Sequence, residues 1–580
     1  MKKSKPTLVI LLFLSVFNLS KAHENLKVTS AINVISNNEL LNATYVDDPS
    51  IFTYDNGWVD GLNPIGSVAH LDTRHILILN GDLVVSANTI CDQITVSAGA
   101  SLTIDVGVTL TVAAVIMNSQ SNMYSSFISN GTIVGDPVVT YNRFTEEIGT
   151  NDLVSSPVSG ELFPAFAATN ILTLPFSNDL RAFAPYNTMA GAYENYDILV
   201  NALTTIETGK GYRAATLTPG GDFLKFTGIA ETGDVTGIVL SDAVSGDAWN
   251  LIGNPYPSYI DAEAFFIENV SQLDANQKAI YGYDGDASDG WAVWNSATIA
   301  ASEISELIAP GQGFFVKAKI GGGLIDFTTS MRRTGSTDDF IAGRSSTSSS
   351  HYGHIKLKLS SSSSNYNTDF YFNSNASDGL DPGYDAGIFG TNPPVFSIYS
   401  NLIEGDANLA LAIQALNNDS MSNVVVPLGV NANQGEELTF SIVESDMSDS
   451  TNMYLEDTVN ETVTLLNTTD YIFTPVNDLS GTGRFYLRFE TTTLSTIDVD
   501  VELVKIYTNN ATRTINIEGQ LHNKTVAKLF DTNGRLVLTN VLNTNNATQS
   551  IDVSQLSSGV YIVELDNNTN ERRIEKLIIR

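Results

Sequence analysis

Two short runs of the chain place carboxylates beside backbone-bending glycines, the pattern a hard cation needs. Asp284-Gly285-Asp286-Ala287-Ser288-Asp289-Gly290 alternates oxygen donors along a glycine-bent loop. Calcium favours such sets of carboxylate, hydroxyl and carbonyl oxygens. The helix-loop-helix calcium motif places Gly at its sixth position and Glu at its twelfth; Asp289 and Asn295 stand there instead. The second run, Ser377-Asp378-Gly379-Leu380-Asp381-Pro382-Gly383-Tyr384-Asp385, carries three carboxylates on a turn-rich stretch. Calcium is therefore the one cofactor the residues suggest, with Asp284, Asp286, Ser288 and Asp289 as ligands in the first loop and Asp378, Asp381 and Asp385 in the second. The competing reading of each loop is a solvated turn, since Asp, Ser and Gly favour turns for conformational reasons alone.

Other chemistry is thinner. Trp249, Tyr256, Trp291 and Trp294 crowd one stretch, and exposed aromatics on β structure could stack on sugar rings. Aromatics recur at matching places, Tyr186 with Tyr283 and Tyr196 with Trp294, which favours a core role. Among the six histidines there is no His-Glu-x-x-His run, and His351 and His354 share a face only on a helix, whereas the local pattern there is strand. No Gly-x-Ser-x-Gly elbow occurs. Cys91 sits in an apolar strand pattern and reads as a small buried hydrophobe. No catalytic and no cofactor-binding residue is assigned.

Composition narrows the partners. The chain has 580 residues with 64 acidic against 30 basic side chains, a net charge of −34. That balance excludes nucleic acid, whose phosphates need Lys and Arg, and electrostatic docking on anionic lipid. One cysteine permits no intrachain disulfide. Low charged content, with abundant Ser, Thr, Asn and Gly, suits extracellular β structure.

Strand periodicity organises the chain as all-β. Residues 1–22 read as a secretory signal peptide, with Lys2, Lys3 and Lys5 before an apolar stretch and cleavage between Ala22 and His23. No transmembrane segment is expected in the mature chain. Residues 23–140 read as a short β-solenoid-like region: Ser97–Ile104 and Asp105–Val112 match at a period of eight, expected to stack as successive coils. Residues 141–335 read as a duplicated β unit. Asp152–Pro157, Arg181–Tyr186 and Thr208–Ala214 recur as Asn250–Pro255, Lys278–Tyr283 and Pro310–Ala318, offset by 98, 97 and 102 residues. The shared Gly-x-Gly-aromatic element suits a tight turn into a strand whose ring fills the core. Residues 336–350 are a Ser/Thr-rich linker and residues 351–490 a β-sandwich domain. Asp261–Gln277 is the best helix candidate.

Residues 503–580 carry strand-like runs every eight to twelve residues, the rhythm of an Ig-like β-sandwich. Asn533-Gly534 supplies the turn of a hairpin. Phe530–Val537, then Ile551–Val563 with Leu556, Gly559 and Tyr561, then the basic-apolar end from Lys576, resemble the type A C-terminal sorting domain of the type IX secretion system. Tyr507-Thr508-Asn509-Asn510 departs from the Tyr-Pro-Asn-Pro opening of many members. The resemblance implies export by the type IX machinery to the outer surface of a Gram-negative bacterium or the medium. It also implies attachment to surface lipopolysaccharide, or release, once the tag is removed. The expected role is a non-enzymatic adhesin or extracellular matrix component, with glycans as possible ligands. A carbohydrate-binding accessory protein or a polysaccharide-degrading enzyme is the alternative. Deleting Val504–Arg580 is expected to leave the protein in the periplasm; fractionation and immunoblotting check it, and normal extracellular amounts of the truncated chain contradict it.

Overall fold

The computed structural model describes residues 51–68, 74–170, 172, 174, 177–243, 247–283, 291–302, 306–338, 351–390, 392–405, 409–491, 504–519, 524–543, 546–566 and 572–580, and the backbone of 30–36 and 39–45. The signal-peptide reading, with Ala22 and His23, lies outside these residues, as does most of the linker. Strand makes up 51% of the chain and helix 7%, so the fold is all-β. Two compact units form, Met1–Glu490 and Thr491–Arg580.

After an antiparallel pair, Ser30–Ser36 with Glu39–Tyr45, the first unit winds from Ile51 through three stacks of parallel strands that the chain visits in rotation. One holds Ile51–Asp55, His75–Asn80, Gln93–Val96, Ala114–Gln120 and Val138–Thr145. The others hold Asp82–Val85, Ser101–Ile104 and Ser126–Ser129, and Thr89–Ile90, Thr109–Thr111 and Thr132–Val134. Strict alternation turns every second side chain inward, so apolar residues stack in ladders. Ile76, Ile94, Val115 and Val139 form one and Leu83, Leu102 and Phe127 another, all buried. The period of eight does not stack one run upon the other. Leu102 and Leu110 lie in two different sheets of one winding, and Gly107, at φ +77°, turns the corner between them. Vertical neighbours are instead joined by whole windings. Cys91 packs inside this core, 4% exposed, and burial pushes its thiol up to about 12.

Two four-stranded antiparallel sheets follow, with the same strand order. The first runs Asp152–Ser155, Gly211–Ala214, Phe183–Asn187, Ala192–Tyr193, and the second Trp249–Gly253, Gly313–Lys317, Ile280–Gly282, Ala292–Trp294. Each has a preceding strand paired with a following one, Val138–Thr145 with Asp222–Ala230 and Val235–Leu240 with Gly323–Phe327. A short helix follows the first strand of each sheet, Phe163–Thr169 and Ala262–Asn269. Asp261 caps the latter by accepting the Ala264 N–H at 3.1 Å. The two helices even use the same edge cap. Asn170 accepts from and donates to Lys225 at 2.9 and 3.2 Å, and Asn269 treats Asp326 alike, at 2.9 Å both ways.

The sheets interlock through their Gly-x-Gly turns. The Gly209 carbonyl accepts the Gly253 N–H at 3.1 Å, and the Gly311 carbonyl accepts the Ser155 N–H at 2.7 Å. Gly209 and Gly311 hold φ of +77° and +62°, open to glycine without strain. A Cβ on Gly211 would meet Leu251 Cγ at 2.5 Å and the Ile252 carbonyl at 2.6 Å; one on Gly313 would meet the Leu153–Val154 backbone within 3.0 Å. The aromatic residues that follow, Tyr212 and Phe314, are fully buried. Arg143, also fully buried, ties the parallel stack to the first copy, 3.6 Å from Asp152 and 5.2 Å over the Tyr124 ring.

Residues 351–491 form one large sheet, in the order Thr462–Leu465, Thr451–Asp457, Phe485–Thr491, Asn423–Asn431, Ser397–Ser400, Leu411–Asn417, Asn365–Asn373, His351–Ser360, Leu438–Ser445, Tyr471–Phe473. It folds back on itself: Phe440 near one end meets Phe485 near the other at 4.9 Å. Gly211→Ala and Gly313→Ala are each expected to destabilise the first unit by about 2 kcal/mol or more, because the clashing atoms are close-packed or backbone. Gly233→Ala, with nothing within 4 Å, is expected to be neutral. Denaturant melts of the three variants check this.

Candidate functional site

The second unit is a two-sheet sandwich. Lys505–Asn509, Thr514–Glu518 and Thr548–Asp552 form one sheet, and Leu536–Val541, Val526–Asp531, Gly559–Asp566 and Arg572–Ile579 the other. Asn533-Gly534 turns between two paired strands, with Gly534 at φ +76°. The Asp531 carboxylate accepts the N–H groups of Asn533 and Arg535 at 3.0 Å each, which holds it below the usual carboxylate range, the Arg535 N–H first. Tyr561 pairs in register with Asp531 on one side and Leu577 on the other, and Gly559 with Ile579. The turn, the Gly559–Tyr561 segment and the chain end thus gather at one end of the sandwich. Tyr561 is buried and its hydroxyl donates to the Ser557 carbonyl at 2.9 Å; the Leu556 carbonyl accepts from Arg513. On the last strand Leu577 and Ile579 point inward, while Ile574, Lys576 and Ile578 face outward.

In the first unit, Asp284, Asp286, Ser288 and Asp289 lie outside the described residues. The run Ser377–Asp385 is described, and its carboxylates serve the backbone. Asp381 accepts from the Ser377 N–H and hydroxyl, at 2.5 and 3.0 Å. Asp385 accepts the N–H groups of Asp381 at 2.6 Å and of Ala415 at 2.7 Å. Asp378 accepts the Ser420 hydroxyl at 2.8 Å. Among the described residues no three His, Cys, Asp or Glu side chains gather to hold a metal ion.

These bonds shape a loop that docks on the second of the paired sheets. The Gly383 carbonyl accepts the Ser296 N–H at 2.8 Å, the Tyr384 carbonyl accepts from Asn295 at 2.9 Å, and the Gly387 carbonyl accepts the Tyr281 hydroxyl at 2.7 Å. Phe389 then enters the aromatic cluster, stacked on Trp291 at 4.0 Å, with Trp249 at 4.6 Å and Phe315 at 5.0 Å. Trp249, Tyr256 and Trp294 are buried, and Trp291 is half-buried beneath Phe389. Tyr196 is buried as well. Of the recurring aromatics, Tyr196 and Trp294 are buried and Tyr186 and Tyr283 half-buried.

His351 and His354 have carboxylate partners that the sequence does not reveal. His351 Nε2 lies 2.8 Å from Asp446 and His354 Nε2 lies 2.7 Å from Asp369, while the His354 ring stacks on Tyr371 at 4.3 Å. Asp369 lies on the neighbouring strand Asn365–Asn373, and Asp446 follows the end of Leu438–Ser445. Three further carboxyls, Glu161, Glu306 and Asp385, are each pushed up to about 7, first by loss of hydration. They sit on separate elements. None lines the cleft of about 550 Å³ beside Tyr186, Glu207, Lys210 and Asn250, or the one of about 280 Å³ beside Ile148, Asn195 and Arg213.

Glu161 accepts the Thr227 N–H at 3.0 Å. Its ordinary value is 4.5 and its folded value about 7, so its ionisation opposes folding. Stability is fully present at acid pH and is lost as pH rises from about 4.5 through 7. Glu161→Gln keeps an acceptor for Thr227 and removes this dependence. The variant is expected to melt about 2 °C or more above the parent at pH 8 and close to it at pH 5, as thermal melts at both pH values will show.

A family model described as "Secretion system C-terminal sorting domain" matches residues 505–580, in agreement with the motif placed above. The chain is a type IX secretion cargo, directed to the outer cell surface or the medium. No curated protein matches the chain. Among solved structures, "Biofilm associated protein - BSP domain" is 11% identical with a TM-score of 0.11, over 25% of this chain and 27% of that one. The chain therefore spans about a quarter of that structure's length. "Ca2+-stabilized adhesin helps an Antarctic bacterium reach out and bind ice" is 11% identical with a TM-score of 0.10, over 69% of this chain and 89% of that one. At such scores neither likeness bears on the argument. The model "Domain of unknown function (DUF8693)" matches residues 54–489, which is most of the chain and nearly all of its first unit, and the chain belongs to that family.

Proposed function

We propose that the first unit is a non-enzymatic adhesive or matrix module, carried outside the cell by the sorting domain and held there on surface lipopolysaccharide after the tag is removed. The observation that supports this reading most is the use of the aromatics. Trp249, Tyr281, Trp291, Phe315 and Phe389 pack against one another and join two modules into one body. Such a body resists separation of its parts, which suits a surface component under load. The acidic loop Ser377–Asp385 belongs to that joint, because its carboxylates are engaged by backbone and hydroxyl donors. Calcium is the cofactor we propose for Asp284, Asp286, Ser288 and Asp289, on their residue types alone.

Cells lacking the chain, compared with complemented cells, test the reading. Retention on a glycan-coated or abiotic surface under flow is expected to fall several-fold without it and to return with the full chain. The purified protein is expected to release no reducing ends from a panel of polysaccharides. Unchanged retention overturns the adhesive role, and product release replaces it with the enzymatic alternative.

A further inference from the structure

The two copies of the duplicated sheet differ at one edge. In the first, Val138–Thr145 pairs with Asp222–Ala230 on one side and with Ala114–Gln120 of the parallel stack on the other. In the second, Val235–Leu240 pairs with Gly323–Phe327. Among the described residues, no strand pairs with its other edge. The far edge of Gly323–Phe327 is closed by Asn269, as Asn170 closes the matching strand. At the outer edge of Val235–Leu240 the second copy lacks, among the described residues, the strand that the first copy has there.

That edge is built to be met. Thr236, Gly237 and Val239 are exposed, Val239 by 74%. Gly237, Ile238 and Val239 line the cleft of about 550 Å³ together with Tyr186, Thr188 and Lys210. The strand bulges at Thr236–Gly237, where Gly237 holds φ +75° and its N–H donates to Asp326 at 2.7 Å, so the regular part of the edge is Ile238–Leu240, whose outer backbone groups are a template for another strand. The segment Val-Thr-Gly-Ile-Val-Leu carries no charge of its own but is bracketed by Asp234 and Asp242. Antiparallel pairing with a second copy would bring Asp234 near Asp242 of that copy, and like charges across a strand pair are destabilising. A strand with basic ends would meet complementary charge instead.

We infer that the free edge of Val235–Leu240 receives an extended segment of another protein, with alternating apolar residues flanked by Lys or Arg, as the first copy receives the strand Ala114–Gln120. This goes beyond the adhesive reading and stands or falls separately from it, because the test measures peptide binding and not retention of cells.

The probe is a labelled synthetic peptide of alternating Val and Thr with two Lys at each end, added to the full secreted chain; a counterpart carries Glu for Lys. The Lys peptide is expected to bind about ten-fold or more tightly than the Glu peptide, to weaken with added salt, and to slow hydrogen exchange within Thr236–Leu240. Val239→Pro is expected to weaken binding about ten-fold or more, since proline interrupts a ladder. If that variant melts early, exchange on the unaltered protein still decides. No protection at Thr236–Leu240 with saturating Lys peptide overturns the inference. So does equal binding of both peptides, or protection produced by self-association without peptide.

Discussion

The reciprocal crossing of two glycine turns underlies the first unit. Gly209 and Gly311 each offer a carbonyl to the first strand of the opposite copy, while Gly211 and Gly313 leave room for that strand's backbone and side chains to come close. Neither copy could pack this closely with a methyl group at the second glycine. Once the crossing is made, Tyr212 and Phe314 are committed to their own cores, and the faces carrying Tyr186 and Phe315 are brought edge to face at 4.9 Å. The aromatic cluster that accepts Phe389 is built on that alignment. The large sheet of residues 351–491 docks through Phe389 on the second copy, against Trp249, Tyr281, Trp291 and Phe315.

Duplication here produces two copies with different neighbours. The first copy is extended on its outer edge by the parallel stack, with Arg143 buried at the join. The second is covered on its sheet face by the Gly383–Phe389 loop. The same turn shows the difference. Asp197 and Asn295 each accept two N–H groups at matching places, but Leu199, Val200 and Leu203 after the first are exposed, whereas Ala297, Thr298 and Ala301 after the second are buried. Small side chains stand where another module packs close.

Much of the fold was legible in the sequence, because strands announce themselves locally. Asn533-Gly534 announces a hairpin through the positive φ that Gly534 adopts. Alternation does not say which strand lies above which, so an eight-residue spacing that marks a corner at Gly107 read as a vertical repeat. Phe163–Thr169 and Ser296–Ala300 were missed because five to seven residues are too few to show a helical period. The helix expected over Asp261–Gln277 is real at Ala262–Asn269 and then tightens into a single turn at Val270–Gln272. In the acidic run Ser377–Asp385 the partners of Asp385, the N–H groups of Asp381 and Ala415, have no signature in side-chain identity. The acids facing His351 and His354, Asp446 and Asp369, are likewise set by strand register, which sequence spacing does not carry.

The burial of Cys91 has a consequence for the route the protein takes. A thiol held protonated at the centre of stacked windings presents no thiolate to disulfide-forming catalysts. The folded chain can therefore cross an oxidising compartment without being captured as a mixed disulfide and without dimerising through sulfur, and its passage makes no demand on the cell's thiol-oxidising enzymes.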